Sequence, residues 1–245
     1  MDVNVFRALH QDRAPGDPLI LPGPWDAASA RVFAEAGFPA LATPSAGIAA
    51  SLGYQDGATP ADEMFAQVAR IVRAVAEFGI PVSADVEAGY GLSAKDLVAR
   101  VLDTGVVGIN LEDSAAHVLN DPAAQADWLG EVRAAAGDAL FINARVDTYL
   151  CVKDAPDVVE QTIARGQRYV EAGADCVYPI LATPDHLPRL AAGIAAPLNA
   201  VAHPNFPPPQ RLGELGASRI TFGPGLQVRA MGAVREIAQA LRGEG

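Results

Sequence analysis

Three short polar clusters each close an apolar run: Asp85-Val86-Glu87, then Glu112-Asp113, then Asn143-Ala144-Arg145-Val146-Asp147. Upstream lie Thr43-Pro44-Ser45-Ala46-Gly47 and Tyr54-Gln55-Asp56; downstream come Tyr178-Pro179 and Asn199. Carboxylates gathered on one rim repel each other unless a cation or a shared proton compensates. A hard divalent cation meets that need. Mg²⁺ takes an octahedron of oxygens, keeps several waters, and is usually held by one or two carboxylates plus the substrate; Mn²⁺ is the alternative. The expected metal set is Asp85, Glu87 and Glu112, with Asp85 as the direct ligand because it occupies the last core position of its run. Asp56, Glu87 and Glu112 would hold the metal's waters. Arg145 presents a planar fork to a carboxylate or phosphate, and backbone N–H groups of the Ser45-Ala46-Gly47 turn could add a small anion nest. Such a set suits a substrate that chelates through a carboxylate and an adjacent carbonyl. Polarising that carbonyl stabilises the enolate left when the bond to C3 breaks. Asp56, Glu112 and Arg145 are the expected catalytic residues.

Other polar residues have simpler explanations. Asp26 reads as the N-cap of the first helix, and Asp113 and Asp147 as residues that cap loops or fix Arg145. His117 and His203 fall in loops and read as solvated, Trp128 as a helix packing residue, and Cys176 as core. Lys95 and Lys153 are the only lysines and neither lies in an apolar run. Schiff-base and pyridoxal chemistry, which need a buried lysine, are therefore not expected.

The elements that must position these residues recur as a module: a helix-period stretch, a glycine, then a short apolar run. The glycines are Gly37, Gly79, Gly105, Gly137, Gly173, Gly193 and Gly216, each placed as a left-handed helix terminator. The strand candidates are Leu19–Leu21, Ala40–Thr43, Pro81–Asp85, Val106–Glu112, Leu140–Arg145, Cys176–Ile180, Pro197–Val201 and Arg219–Phe222. They are continuous apolar runs rather than alternating ones, as parallel strands buried on both faces should be. Thr59-Pro60-Ala61-Asp62 reads as a capping Thr followed by Pro, ahead of an apolar stripe at Phe65, Val68, Val72 and Val75. Ser93 with Asp96 reads as a capping box. Eight strands alternating with helices close most simply into an α/β (β/α)8 TIM barrel, whose chemistry sits at the C-terminal strand ends. A doubly wound sheet is the alternative, but Leu21-Pro22-Gly23-Pro24-Trp25-Asp26 is no nucleotide-binding glycine loop.

At 245 residues the chain reads as a single barrel domain over 1–245, ending in an amphipathic helix near 227–242. The formal charge of −11 argues against nucleic acid or an anionic membrane as partner. Neither a signal-like segment nor a transmembrane run stands out, so a cytoplasmic location is expected. Cys151 and Cys176 are isolated, and the histidines form no metal-binding pattern.

Taken together, Trp25-Asp26-Ala27-Ala28-Ser29-Ala30, Ser45-Ala46-Gly47, Ser51-Leu52-Gly53-Tyr54, Asp85-Val86-Glu87-Ala88-Gly89-Tyr90-Gly91, Glu112-Asp113, Ile142 to Asp147, Ala172-Gly173-Ala174-Asp175 and Leu198-Asn199 resemble the isocitrate lyase/phosphoenolpyruvate mutase superfamily. The resemblance spans nearly the whole chain. It implies a Mg²⁺-dependent barrel enzyme that breaks or rearranges C–C or P–C bonds through a pyruvate-type enolate. By the same resemblance Asp85 is the metal ligand; Arg145, Asn199 and Ser45, Ala46 and Gly47 hold the substrate; and the assembly is a homodimer or homotetramer. Three departures stand out. Ser114 to Asp121 carries neither the Cys nor the Lys of the family's gating loop, Pro179-Ile180 stands where methylisocitrate lyases have Pro-Glu, and Glu87 stands where the mutases use Asp. The expected activity is a lyase acting on a small 2-oxo or 2-hydroxy di- or tricarboxylate. The alternatives are an oxaloacetate or phosphonopyruvate hydrolase or decarboxylase, and a catalytically weak barrel that binds 2-oxo acids. Within Ser114–Asp121, His117 is a candidate replacement acid.

Overall fold

The computed structural model describes residues 2–11 and 13–243. Eight parallel strands alternate with helices around a ring: β1 (Leu19–Ile20), β2 (Leu41–Thr43), β3 (Val82–Asp85), β4 (Gly108–Glu112), β7 (Phe141–Val146), β8 (Cys176–Pro179), β9 (Asn199–Val201) and β10 (Arg219–Thr221). Between β4 and β7, β5 (Ser114–Ala115) and β6 (Val118–Leu119) form a separate antiparallel hairpin. One ladder runs β2-β3-β4-β7-β8 and the other β1-β10-β9. The ring closes where Val177 bridges Leu198 and where the Ala42 N–H donates to the Pro22 carbonyl at 3.1 Å. The fold is the (β/α)8 barrel expected from the apolar runs.

Strand alternation splits the core in two. Leu41, Val82, Ile109, Ile142, Val177 and Ile220 face the surrounding helices in the larger cluster. Leu19, Ala40, Ala42, Phe141 and Cys176 form a smaller one with Phe6. Phe6 comes from an N-terminal helix, Val3–Ala8, which the sequence reading does not anticipate. Phe6 packs edge-on to Phe141 at 5.2 Å between ring centroids, and His10 stacks on Phe141 at 4.2 Å. Burying one such phenyl ring contributes roughly 1.5–3 kcal/mol, so the helix is a stable plug for the end of the barrel away from the polar strand ends.

Local signals are mostly met. Asp26 caps helix Ala27–Glu35 through a capping box with Ser29, and Ser93 caps Ala94–Thr104 by accepting from the Asp96 N–H. Gly37, Gly79, Gly105, Gly137, Gly173 and Gly216 all have positive φ. Two expectations fail. Gly193 is the last residue of helix Leu187–Gly193, without positive φ, and the chain leaves that helix through Ile194 in extended conformation. Thr59 caps nothing: Pro60 is the N-cap of Ala61–Ala74, and the buried Thr59 hydroxyl has no partner.

Candidate active site

A cleft of about 600 Å³ opens at the C-terminal ends of the strands, lined by Asp85, Glu87, Glu112, Arg145 and Asp56 among others. Register explains the convergence. Asp85 lies beside Asn110, and Glu112 lies beside Arg145, on neighbouring strands. Beyond β3 the chain folds back so that the Glu112 N–H donates to the Glu87 carbonyl at 3.0 Å. That fold puts Glu87 at φ 51, a strained conformation for a residue with a side chain. Gly89 follows at φ 83, and a Cβ there would stand 2.8 Å from the Trp128 ring, so Trp128 packs against the loop that carries Glu87.

Asp85 is held at both oxygens. Ser45 donates to Oδ2 through its hydroxyl at 2.9 Å and its N–H at 3.5 Å, and the Glu87 N–H donates to Oδ1 at 3.3 Å. The Ser45-Ala46-Gly47 segment is the first turn of helix Ser45–Leu52 rather than a free turn. Its N-terminus, positive by the helix dipole, therefore faces the Asp85 carboxylate. Ser45 and Ala46 line the cleft; Gly47 lies outside that lining, packed by Pro44, Trp25 and Gln227.

Arg145 is gripped from two sides. Its Nε donates to Asp147 Oδ1 at 2.7 Å and its Nη1 to Glu112 Oε1. Asp147 is fully buried and takes a bond from the Ser114 hydroxyl at 2.5 Å. Behind it the buried Asp113 accepts from the Asp147 N–H at 2.8 Å, Tyr169 Oη at 2.8 Å and Arg165 Nη1 at 3.0 Å. Glu112, Arg145 and Asp147 all border the cleft, with Asp147 buried at its edge and gripping Arg145, while Asp113 lies behind and anchors Asp147.

Burial pushes the Glu112 carboxyl up to about 8, with Asp85 adding to the rise and Arg145 opposing it. Burial, then Asp85 and Asp56, raises Glu87 to about 7. Asp85 is raised by burial against the pull of Arg145 and Ser45. Burial alone would lower Arg145, but Asp147, Glu112 and Asp85 outweigh it and keep the guanidinium charged. Repelling carboxylates held in this way are under-compensated, and Glu87 Oε1 is buried with no hydrogen-bond partner. Among the described residues no three Asp, Glu, His or Cys side chains are close enough to ligate one ion directly. Glu112 is turned onto Arg145, an arrangement in which Asp85 would be the direct ligand while Glu87 and Glu112 would hold the metal's waters. A cation held directly by Asp85, with waters bridging to the others, fits the unpartnered oxygen and the all-oxygen donor set.

Asn199 is the other departure. It is fully buried, its amide donates to Thr221 Oγ1 at 3.0 Å, and Thr221 rather than Asn199 lines the cleft. Asn110 and Thr221 line the cleft without having been expected as site residues, and His117, the candidate replacement acid, and Tyr178 line it with them. The alternation Gly108, Asn110, Glu112 within an apolar run is the signal that could have found Asn110.

Fold and site together define a barrel enzyme with an acidic, arginine-bearing cleft at its strand ends. The family model described as phosphoenolpyruvate phosphomutase matches residues 6–242, and the chain belongs to that family. An uncharacterised protein of Mycobacterium tuberculosis is 36% identical over 219 residues, which is 89% of this chain and 81% of that protein. A candidate phosphonomutase of Burkholderia cenocepacia, known from its crystal structure, superposes with a TM-score of 0.89 at 36% identity, covering 97% of this chain and 98% of that one. The crystal structure of 2,3-dimethylmalate lyase, a PEP mutase/isocitrate lyase superfamily member, gives a TM-score of 0.85 at 25% identity over 99% and 88% of the two chains.

Proposed function

We propose that this protein is a Mg²⁺-dependent lyase that cleaves a C–C bond in a small 2-oxo or 2-hydroxy di- or tricarboxylate. The observation that carries the reading is the meeting of Asp85, Glu87, Glu112, Arg145 and the Ser45 helix N-terminus in one cleft. Asp85 would hold the metal, and Asp56, Glu87 and Glu112 its waters. A divalent cation bound there supplies positive charge against the oxygen on which an enolate develops.

The chain's own groups account for the rest. Arg145, fixed by Asp147, forks onto the substrate carboxylate, and the Ser45 N-terminus favours negative charge beside it. As the C–C bond breaks, the hydroxyl on one of its carbons would give its proton to a cleft carboxylate and become a carbonyl, while the bonding pair passes to the other carbon as the enolate of its adjacent 2-oxo or carboxylate group. That carbon then needs a proton. His117, on the lining of the cleft, is the acid proposed for that step. Asp113, Arg165 and Tyr169 touch no substrate; they hold Asp147 in place.

A second reading, oxaloacetate decarboxylation, is favoured by the cleft wall over 114–119, where the described side chains include one imidazole and neither an amine nor a thiol. Loss of CO₂ needs enolate stabilisation but no proton removal from the substrate. Calorimetric titration with oxalate, pyruvate, oxaloacetate and 2-oxoglutarate, each with Mg²⁺ and with EDTA, tests both readings. Metal-dependent binding supports them, and its absence for all four sinks them. None of the described helices is long and apolar enough to cross a membrane. Helix Gly225–Leu241 exposes Val228, Met231, Val234, Ile237 and Leu241, which supports a homo-oligomer of one-domain subunits.

A further inference from the structure

The interior of a (β/α)8 barrel is ordinarily filled by branched apolar side chains. Here its middle layer is polar. Register sets Asp85, Asn110, Asn143 and Cys176 side by side across β3, β4, β7 and β8, and pairs Asn199 with Arg219 across β9 and β10. Arg219 is 0% exposed and is the largest fully buried side chain among the described residues. Among the described residues no carboxylate pairs with it; its Nη2 donates to Asn110 Oδ1 at 3.3 Å, while Nε and Nη1 have no partner. An unpaired buried charge is expensive, and an apolar residue of similar volume would fill the space without that cost. The Phe6 ring, 5.9 Å from the guanidinium carbon, offsets only part of that cost, so stability alone does not explain Arg219.

What Arg219 does is fix Asn110. A guanidinium can only donate, so the Asn110 atom facing it must be the carbonyl oxygen. Asn143 Nδ2 donates to the same oxygen at 2.8 Å. With Oδ1 taken twice, the Asn110 amide cannot turn over. Its Nδ2 has no protein partner among the described residues, and Asn110 lines the cleft between Asp85, its register neighbour, and Glu112, two residues further along the same face. In a cleft whose other strand-end groups are mostly acceptors, that nitrogen is a neutral donor locked in position before ligand arrives.

We propose that Asn110 is a substrate-binding residue whose Nδ2 donates to an oxygen of an anionic 2-oxo acid, and that Arg219 is the positioning residue that holds it there. The inference rests on the reading of the cleft as a 2-oxo acid site. The test is calorimetric titration of oxalate into the Mg²⁺-loaded protein for the wild type, Asn110→Asp, Arg219→Met and Arg219→Lys, with thermal melts of each. Asn110→Asp replaces the donor by an acceptor and gives Arg219 a carboxylate partner. It should melt at or above the wild-type temperature yet bind oxalate roughly 10- to 100-fold more weakly, the loss of a hydrogen bond to a charged ligand. Arg219→Met, remote from the ligand, should also weaken oxalate by freeing the amide to turn, and Arg219→Lys should restore part of the affinity. If Arg219→Met does not fold, Asn110→Asp carries the test alone. Wild-type binding with Asn110→Asp equally tight overturns this inference only; no binding by the wild type overturns the reading of the cleft and this inference with it.

Discussion

The Arg145 guanidinium is shared between two carboxylates that are unequally exposed: Nε and Nη2 reach Asp147, which is buried, and Nη1 reaches Glu112, which faces the cleft. Substrate can compete for Nη1 without disturbing the grip of Asp147. Asp147→Asn keeps the shape but weakens that grip, so kcat/KM should fall roughly 10- to 100-fold, as for other outer partners of a binding group. Mg²⁺ affinity in the absence of substrate should stay near wild type. Steady-state kinetics beside a metal titration would decide; an equal loss in both would mean that Asp147 supports the whole rim rather than Arg145.

Metal binding should depend on pH with a fixed sign. Burial holds Glu87 near 7 and Glu112 near 8 in the metal-free protein, so below those values they carry protons that a cation must displace. Mg²⁺ affinity should rise from pH 6 to pH 8.5 and level off above. Glu87→Gln should flatten the lower part of that rise, and Asp85→Ala should abolish binding. An affinity independent of pH would exclude these carboxylates from the metal site.

At the opposite end of the barrel the pH effect concerns stability. Burial, reinforced by Arg219, lowers His10 to about 3, and its Nδ1 is hydrogen-bonded to the Phe6 carbonyl at 2.8 Å. A base whose folded pKa lies below its unfolded value near 6.5 binds protons preferentially when unfolded. Its contribution is thus complete above pH 6.5 and is lost as pH falls from there toward 3. Linkage puts that loss at about 2 kcal/mol between pH 7 and pH 5. Chemical denaturation of wild type and His10→Gln at the two pH values measures it as the difference in slope; equal slopes would show that His10 protonates freely in the folded protein.

Why some of this is legible in the sequence and some is not follows from where each residue lies. The strands show because runs such as Pro81–Asp85 and Cys176–Ile180, packed between the barrel interior and the helices, are mostly apolar. The acids show because a carboxylate ending such a run has no place in a core. Arg219 does not show: it sits at the first position of a strand, where a sequence reader expects solvent, and only the closed ring turns it inward. Asn199 shows as a polar residue, but its pairing with Thr221 behind the cleft does not. The hairpin at 114–119 is hidden for a different reason. Its turn residues Ala116 and His117 both have positive φ without being Gly or Asn, so the usual signature is missing. The Ser45 helix hides because three small residues after a Pro fit a turn as well as a helix start.

The apolar stripe on the last helix predicts assembly. Val234 and Ile237 are 52% and 60% exposed, on a helix whose only buried residue is Gln227. Clustered apolar side chains left in water mark an interface more often than a free surface. Light scattering should give at least a dimer, and Val234→Lys with Ile237→Lys should shift it toward monomer without unfolding the barrel. A monomeric wild type at micromolar concentration would remove the proposal.

The hairpin that carries His117 is a fastened wall of the cleft. Ala115 pairs with Val118, leaving Ala116 and His117 as a two-residue turn with φ 48 and 62, the mirror-image form that tight hairpins favour. Its base is fastened: Asn120 donates to Gln125 Oε1 at 2.9 Å, and Gln125 to the Glu112 carbonyl at 3.0 Å. Such a wall holds its imidazole at the cleft mouth rather than swinging it in. Loss of a positioned general acid costs roughly 10²- to 10⁴-fold in rate, so His117→Ala should lower kcat by that order while leaving Mg²⁺ and oxalate binding unchanged. The double variant Ala116→Asn with His117→Gly relieves the turn, and it should melt slightly higher while remaining as slow as His117→Ala. Unchanged turnover in both variants would dismiss His117 as the acid and leave decarboxylation, which needs no such group to break the bond, as the better account of the site.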